Sequence, residues 1–364
     1  MIQMTKKNRI LLGTRKGLVV YKRNGENWQH ESTQFLGIPV SLTYVDGRTN
    51  TWWACLDHGH WGVKLHRSLD EGKNWEEIEA PKFDEGEEIK DGIKAAVKYI
   101  WAFADGGVDK PGVLYLGTDP GALFKSDDNG GTWKLVRSLW DHPTRKEGWF
   151  GGGRDNPGIH SILVDPRNSD HIYIAISCAG VFETHDAGIT WKISNKGLKA
   201  DFLPDPNSEV GQDPHLIVAC PSNPDVIWQQ NHCGIFVSFD GAQNWQEVSE
   251  ENGPASFGFA VAVHEEKPNT AWVVPGISDM VRVAVDQALC VCRTDDGGKT
   301  WKDFRKGLPQ KQSYDIVYRH ALDNNGKNVA FGTTTGNVFV SNDLGESWDT
   351  LSSTMPMIYS LQFA

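Results

Sequence analysis

The chain has 364 residues, with 36 Lys and Arg against 47 Asp and Glu, a net charge of −11 and 39% hydrophobic residues. That acidic balance, with no basic cluster, excludes a nucleic-acid groove as the working expectation, and no run is long and apolar enough for a membrane-spanning helix. Length alone suggests two or three domains, but an internal repeat replaces that estimate with one.

The N-terminal segment Met1–Asn8 lacks the apolar stretch of a secretion signal, so cytoplasmic residence is expected. Arg9–Gly13 and Gly17–Tyr21 then read as two strands. After them a tryptophan closes the same short phrase again and again: Ser68-Leu69-Asp70-Glu71-Gly72-Lys73-Asn74-Trp75, then Ser126 to Trp133, Thr184 to Trp191, Ser238 to Trp245, Thr294 to Trp301 and Ser341 to Trp348. A worn copy over residues 21–28 keeps Gly25 but has Arg23 in the Asp place. The tryptophans stand 47, 58, 58, 54, 56 and 47 residues apart. A period of that size marks one supersecondary unit, too small to bury its own apolar face and stacked on its neighbours.

Each phrase follows a strand such as Gly180–Glu183 or Gly234–Val237 and precedes another, so it reads as a hairpin turn: Gly supplies positive φ, and Asp bonds backbone N–H groups a few residues on. Upstream lie two further strands per unit. One is strongly apolar and innermost (Ile159–Val164, His215–Ala219, Phe259–Val263); the next follows a Pro/Asn/Asp turn (His171–Ala175, Val226–Gln229, Thr270–Val274). Four strands per repeat of about 50 residues is a propeller blade. Met357–Phe363 has an inner-strand pattern with no blade after it, while the first unit lacks an inner strand. The C-terminal strand is therefore expected to complete the N-terminal blade and remove an exposed edge. The expectation is an all-β, seven-bladed β-propeller of four-stranded antiparallel blades, one domain over 1–364, with turns near 21–28, 68–75, 126–133, 184–191, 238–245, 294–301 and 341–348. The six cysteines are scattered and read as free thiols, with no zinc-knuckle spacing.

The Ser/Thr-x-Asp-x-Gly-x-Thr-Trp phrase is the Asp box, and the chain resembles the Asp-box (BNR-repeat, sialidase-like) propeller superfamily along nearly its whole length. Phrases similar to Pro157-Gly158-Ile159-His160-Ser161 and Gln230-Asn231-His232-Cys233-Gly234 recur in bacterial BNR-repeat proteins labelled glycosyl hydrolase or exo-sialidase-like. The superfamily includes sialidases, other glycosidases, lyases, sorting receptors and photosystem assembly factors, so the resemblance implies the architecture and not one activity. The sialidase Arg-Ile-Pro phrase is represented only by Gly37-Ile38-Pro39, without its Arg, so a true sialidase is not expected. Asp-box residues are turn stabilisers in such proteins and receive no catalytic role.

Chemistry is expected at the mouth of the central channel, where residues 137–159, 197–214 and 275–286 form long loops. His160 and His215 each stand six residues before a strand-ending proline (Pro166, Pro221), which makes them equivalent at the mouth end of adjacent inner strands; Pro268 is taken as the equivalent proline of the next blade, with Gly258 as the matching residue. The position two before the glycine that opens each third strand gives Arg15, His60, Asp119, Cys178 and His232. His160, His215 and His232 are therefore expected to converge, with Asp213 beside them. Such a group suits proton transfer near neutral pH or a divalent metal, zinc or similar, held by His160, His215 and His232 with Asp213 as ligand or orienting partner. Without a metal, one His acts as base and another as acid, and Arg154 holds an anionic group, with Arg282 and Arg319 as helpers. Trp149, Phe150 and Tyr314 are candidates for stacking on a sugar or aryl ring, and Asn231 for a substrate contact. The acidic stretch 84–88 reads as a solvated loop near the rim.

Two functions fit this pattern. One is a hydrolase or lyase acting on a carbohydrate-like or other small polar anionic substrate at the His-rich mouth. The other is a non-catalytic binding or assembly propeller resembling the photosystem assembly factors, which would show a face of one charge sign or an apolar patch. Neither a nucleic-acid nor a membrane partner is expected, and the sequence leaves the oligomeric state open.

Overall fold

Seven four-stranded antiparallel sheets surround a central channel in the computed structural model, which describes residues 7–364; Met1–Lys6 of the N-terminal segment lie outside the described residues. The inner strands Val40–Asp46, Tyr99–Asp105, Ile159–Val164, Pro214–Cys220, Gly258–Val263, Leu322–Asn325 and Ile358–Phe363 pack side by side and close the ring. The last of these is the C-terminal strand. It pairs with Arg9–Thr14, Leu361 opposite Leu12 and Phe363 opposite Ile10, so the two ends of the chain share the first blade. Strands near the axis lie between blades and are buried on both faces, which is why Gly258–Val263 is buried throughout and reads as an unbroken apolar run. Outer strands such as Gln246–Glu247 are exposed.

The recurring turn has a uniform hydrogen-bond set. Gly130 N donates to Ser126 Oγ (2.8 Å), and Thr132 N donates to Asp128 Oδ1 (2.8 Å), while Ser126 Oγ donates to that same oxygen (2.8 Å). The backbone bond from Thr132 and the hydroxyl bonds behind it hold the exposed Asp128 carboxyl down at about 2. At some of these turns the tryptophan staples blades together: Trp245 Nε1 donates to Ser194 O (2.8 Å) and Trp301 Nε1 to Val248 O (2.7 Å), each one blade back. Trp75 differs, since its indole bonds Gly72 O within its own turn.

One irregularity decides what faces the channel. In six blades the inner strand carries a bulge near its mouth end, falling at Ser41, Trp101, His160, His215, Phe259 and Tyr359. A bulge adds an unpaired residue and re-aims its side chain, here towards the axis. The bulges confirm His160 and His215 as equivalent. In the next blade the equivalent residue is Phe259 rather than Gly258, because the bulge falls just after Gly258. The long loop after the third blade folds into two short helical turns, Arg137–Trp140 and Arg145–Gly148. The acidic stretch is not a free loop. It leads into a two-stranded ribbon, Glu88–Lys90 with Ile93–Lys94, and Glu87 accepts a bond from Trp140 Nε1 (2.8 Å) and pairs with Arg137. No helix among the described residues is long and apolar enough to cross a membrane.

Candidate functional site

A cavity of about 740 Å³ opens at the mouth end of the channel. Its floor is made by the bulge residues Trp101, His215, Phe259 and Tyr359 with Arg319 and His320, and its wall by Arg154, Cys178, His232, Asp279 and Arg282 from the connecting loops. Bulges and loops thus supply what regular strands would have kept in the blade interiors.

Asp213, His215 and His232 form the ionisable centre, with one ligand-type atom from each within 4.8 Å of the others. Asp213 Oδ2 lies 3.4 Å from His232 Nδ1 and 3.7 Å from His215 Nε2, and Asp213 Oδ1 accepts the backbone N–H of Cys178 at 3.0 Å. His215 Nδ1 lies 2.6 Å from Gly258 O, a carbonyl that can only accept, so Nδ1 carries the proton and Nε2 keeps its lone pair. Burial pushes the His215 imidazole below its ordinary value against the pull of Asp213. The bond to Asp213 lifts His232 above its ordinary value, assisted by the charge of Asp279, whose Oδ2 is 3.8 Å from Nε2. Burial alone would raise Asp213, but the two neighbouring imidazoles, with Arg319, outweigh it and hold the carboxyl well below the usual range. The centre is therefore a carboxylate between a neutral and a readily protonated imidazole.

Three guanidinium groups flank it, threaded on aromatic rings. Arg154 Cζ lies 4.2 Å from the Tyr99 ring centroid and 4.6 Å from Trp101; Arg319 Cζ lies 4.7 Å from Trp101 and 5.4 Å from Phe259; Arg282 Cζ lies 5.2 Å from Phe259. Arg154 also pairs with Asp119 at 3.1 Å. Arg319 makes no ion pair among the described residues, and its Nε has no hydrogen-bond partner. Burial lowers Arg319 to about 10, with Arg154 and Arg282 adding repulsion against the attraction of Asp213. Guanidiniums held this way offer their remaining donors to an anion in the cavity.

The structure brings together Asp213, His215, His232, Arg154, Phe150 and Cys178, with the expected helpers Arg282 and Arg319. It does not bring His160 to them. That ring is fully buried beneath the floor, with the Trp101 indole edge-on at 5.7 Å and its Nε2 unpartnered. The bulge gives His160 the right register, but the bulk of Trp101 and the arginine stacked on it seal it off; the three-histidine metal set is corrected to Asp213, His215 and His232. Trp149 is a core residue: buried against Phe182 (5.2 Å), it donates its indole N–H to Thr144. Asn231 is buried and structural, donating to Gln229 and accepting from Cys233 N. Asp119 serves the site by pairing with Arg154. Arg15, His60 and Tyr314 are exposed and do not line the cavity. Burial raises the Cys178 thiol far above its ordinary value, which leaves it inert as a nucleophile. Trp101, Phe259 and Tyr359 were missed, while Asp279 belongs to the 275–286 loop already expected at the mouth. The signal for the first three was the bulge register that had already pointed to the histidines.

Among the described residues, two groups have the geometry to hold a divalent metal: Asp213, His215 and His232 at the mouth, and His171, Glu183 and His185 elsewhere. At the mouth, separations of 3.4 and 3.7 Å match ligand pairs around a tetrahedral ion with bonds near 2.0–2.2 Å.

No family model matches the chain. Among curated proteins it is similar to the oligoxyloglucan-reducing end-specific xyloglucanase of Emericella nidulans, 23% identical over 281 residues that cover 68% of this chain and 33% of that protein. It is also similar to xyloglucanase Xgh74A of Acetivibrio thermocellus, 23% identical over 296 residues, 72% of this chain and 33% of that one. The chain thus spans about a third of the length of these relatives. Among solved structures it is similar to an ancestral GH74 enzyme (TM-score 0.59, 16% identity, 85% of this chain and 38% of that chain). It is similar as well to YCF48 from Cyanidioschyzon merolae (TM-score 0.56, 16% identity, 99% and 92%) and to YCF48 bound to D1 peptide (TM-score 0.54, 14% identity, 92% and 89%). These likenesses show the fold. They also correct the expected kinship: the proteins matched are xyloglucanases, a GH74 enzyme and YCF48, not BNR-repeat, Asp-box or sialidase-like propellers, and the recurring turn stands as local turn chemistry only.

Proposed function

We propose that the protein is a hydrolase or lyase acting on a carbohydrate-like substrate that carries a carboxylate, with proton transfer at the channel mouth. The observation that carries this reading is the opposed pair of imidazoles on one carboxylate: burial favours neutral His215, whose Nδ1 proton sits on Gly258 O, while Asp213 favours the protonated form of His232. Groups whose surroundings push their proton affinities apart take the base and acid roles. Arg154, Arg282 and Arg319 grip the substrate carboxylate, and Trp101, Phe259 and Phe150 give its ring an apolar surface. In an elimination, His215 Nε2 removes the proton beside the carboxylate while His232 protonates the departing glycosidic oxygen; in a hydrolysis, His215 takes the proton from water instead. A divalent ion at Asp213, His215 and His232 would polarise the same carboxylate or water. Similarity to carbohydrate-active relatives supports the substrate class.

The test is a screen over uronides, neutral glycosides and lactones, scoring reducing ends and the ultraviolet absorbance of a new double bond. His215→Ala should abolish turnover and leave the circular dichroism spectrum unchanged. A second reading, a binding propeller for a carboxylate-bearing peptide, is supported by the near full-length match to YCF48 on both chains. Tight peptide binding with no turnover of any saccharide would select it.

A further inference from the structure

The face opposite the mouth carries another convergence of imidazole and carboxylate groups, which the mouth chemistry does not use. Antiparallel order sends the tail of the third strand of each blade to that face, together with the turn between the first and second strands. In the fourth blade, His171 at the head of Ile172–Ile176 therefore meets Glu183 and His185 at the tail of Gly180–Thr184. His171 Nε2 and His185 Nε2 each lie 2.8 Å from Glu183 Oε1, and the two rings stack at 4.1 Å. The Glu183 side chain is fully buried and that of His185 is 56% exposed, so the group opens to solvent on one side.

The carboxylates at both nitrogens of His171 call for positive charge between them, a second ring proton or a metal ion. Its Nδ1 lies 3.3 Å from Asp165 Oδ2, and Asp165 is fixed by Arg167 at 2.7 Å. A neutral imidazole has one N–H and can serve one carboxylate; its other nitrogen then turns a lone pair on the second carboxylate at hydrogen-bond distance. A metal ion between these atoms converts that repulsion into coordination. A carboxylate on the far nitrogen is the arrangement that orients metal-binding histidines. Glu183 Oε2 is already taken by Lys192 (2.8 Å) and Ser194 (3.0 Å), which leaves Oε1 for the ion. Ligand atoms 2.8 Å apart subtend about 85° at an ion with bonds near 2.1 Å, one face of a five- or six-coordinate site with water completing it.

We propose that His171, Glu183 and His185 form a divalent transition-metal site that clamps the second and third strands of the fourth blade, separate from the mouth. Two imidazoles select zinc, cobalt or nickel over magnesium or calcium. The test uses metal-stripped full-length protein titrated with cobalt(II), followed by visible absorption, and with zinc by calorimetry. Wild type is compared with His185→Ala and with the double variant Asp213→Asn/His232→Ala, which silences the mouth. The double variant should keep one equivalent of metal and a zinc-dependent rise in melting temperature. His185→Ala, at an exposed position that spares the fold, should bind one equivalent fewer than wild type or bind it at least about tenfold more weakly. If His185→Ala binds as many equivalents as tightly as wild type, or the double variant takes up no metal, the imidazoles are protonated partners of Glu183 and the proposal falls.

Discussion

Arg319→Met separates the functional from the structural role of the cavity. Arg319 stands half-buried on Trp101 and Phe259 without an ion pair among the described residues, and burial depresses it to about 10. A cation whose affinity for its proton falls on folding opposes folding; the whole cost is present below about pH 10 and fades as the pH rises towards the unfolded arginine value. That depression corresponds to roughly 3 kcal/mol. Loss of the cation–π contacts returns about 1–2 kcal/mol in the other direction, and a methionine keeps contact with both rings. The net expectation is that Arg319→Met stabilises the protein by about 1–2 kcal/mol at pH 7, read from urea unfolding. The same change removes a charge-assisted contact of about 1.5–3 kcal/mol from a bound carboxylate, so KM for a uronide, or its Kd by calorimetry, should rise about 10- to 150-fold. A variant that loses stability while binding the anion as before would show that Arg319 is a structural cation, and the anion-gripping role would be refuted.

Turnover should follow a bell-shaped pH profile. It falls on the acid side as His215, held below its ordinary value, takes up a proton, and on the alkaline side as His232, held above its own, gives one up; Asp213→Asn removes the main support of His232 and should move the alkaline limb to lower pH. Trp245→Phe deletes the indole bond to Ser194 O between adjacent blades and should cost about 1–2 kcal/mol in urea unfolding, leaving KM unchanged. Ending the chain at Met357 removes the buried side chains of Ile358, Leu361 and Phe363, worth about 5–9 kcal/mol, comparable to the whole stability of an ordinary domain; no cooperatively folded protein should be recovered, and a sharp calorimetric transition from that variant would contradict the closure argument.

The likeness to sialidase-type propellers failed for a physical reason. Ser126, Asp128, Gly130 and Thr132 satisfy one another inside eight residues, so such a phrase follows from the needs of a tight hairpin and carries little about what the opposite face does. The second metal-type group was invisible for the converse reason. His171, Glu183 and His185 sit in turn and strand positions that look ordinary, and only strand order brings them within 2.8 Å.

The sequence by itself determined the blades, their number and the closure of the first by the last strand, because these rest on local turn chemistry and on apolar runs that must be buried on both faces. It also placed His215, His232 and Asp213 at one end of the axis. Tertiary structure alone decided that Trp101 covers His160 and admits His215, and that Trp101 and Phe259 carry the arginines. Those outcomes depend on the volumes of side chains that neighbouring blades push into a shared channel, and that competition has no signature within any single blade.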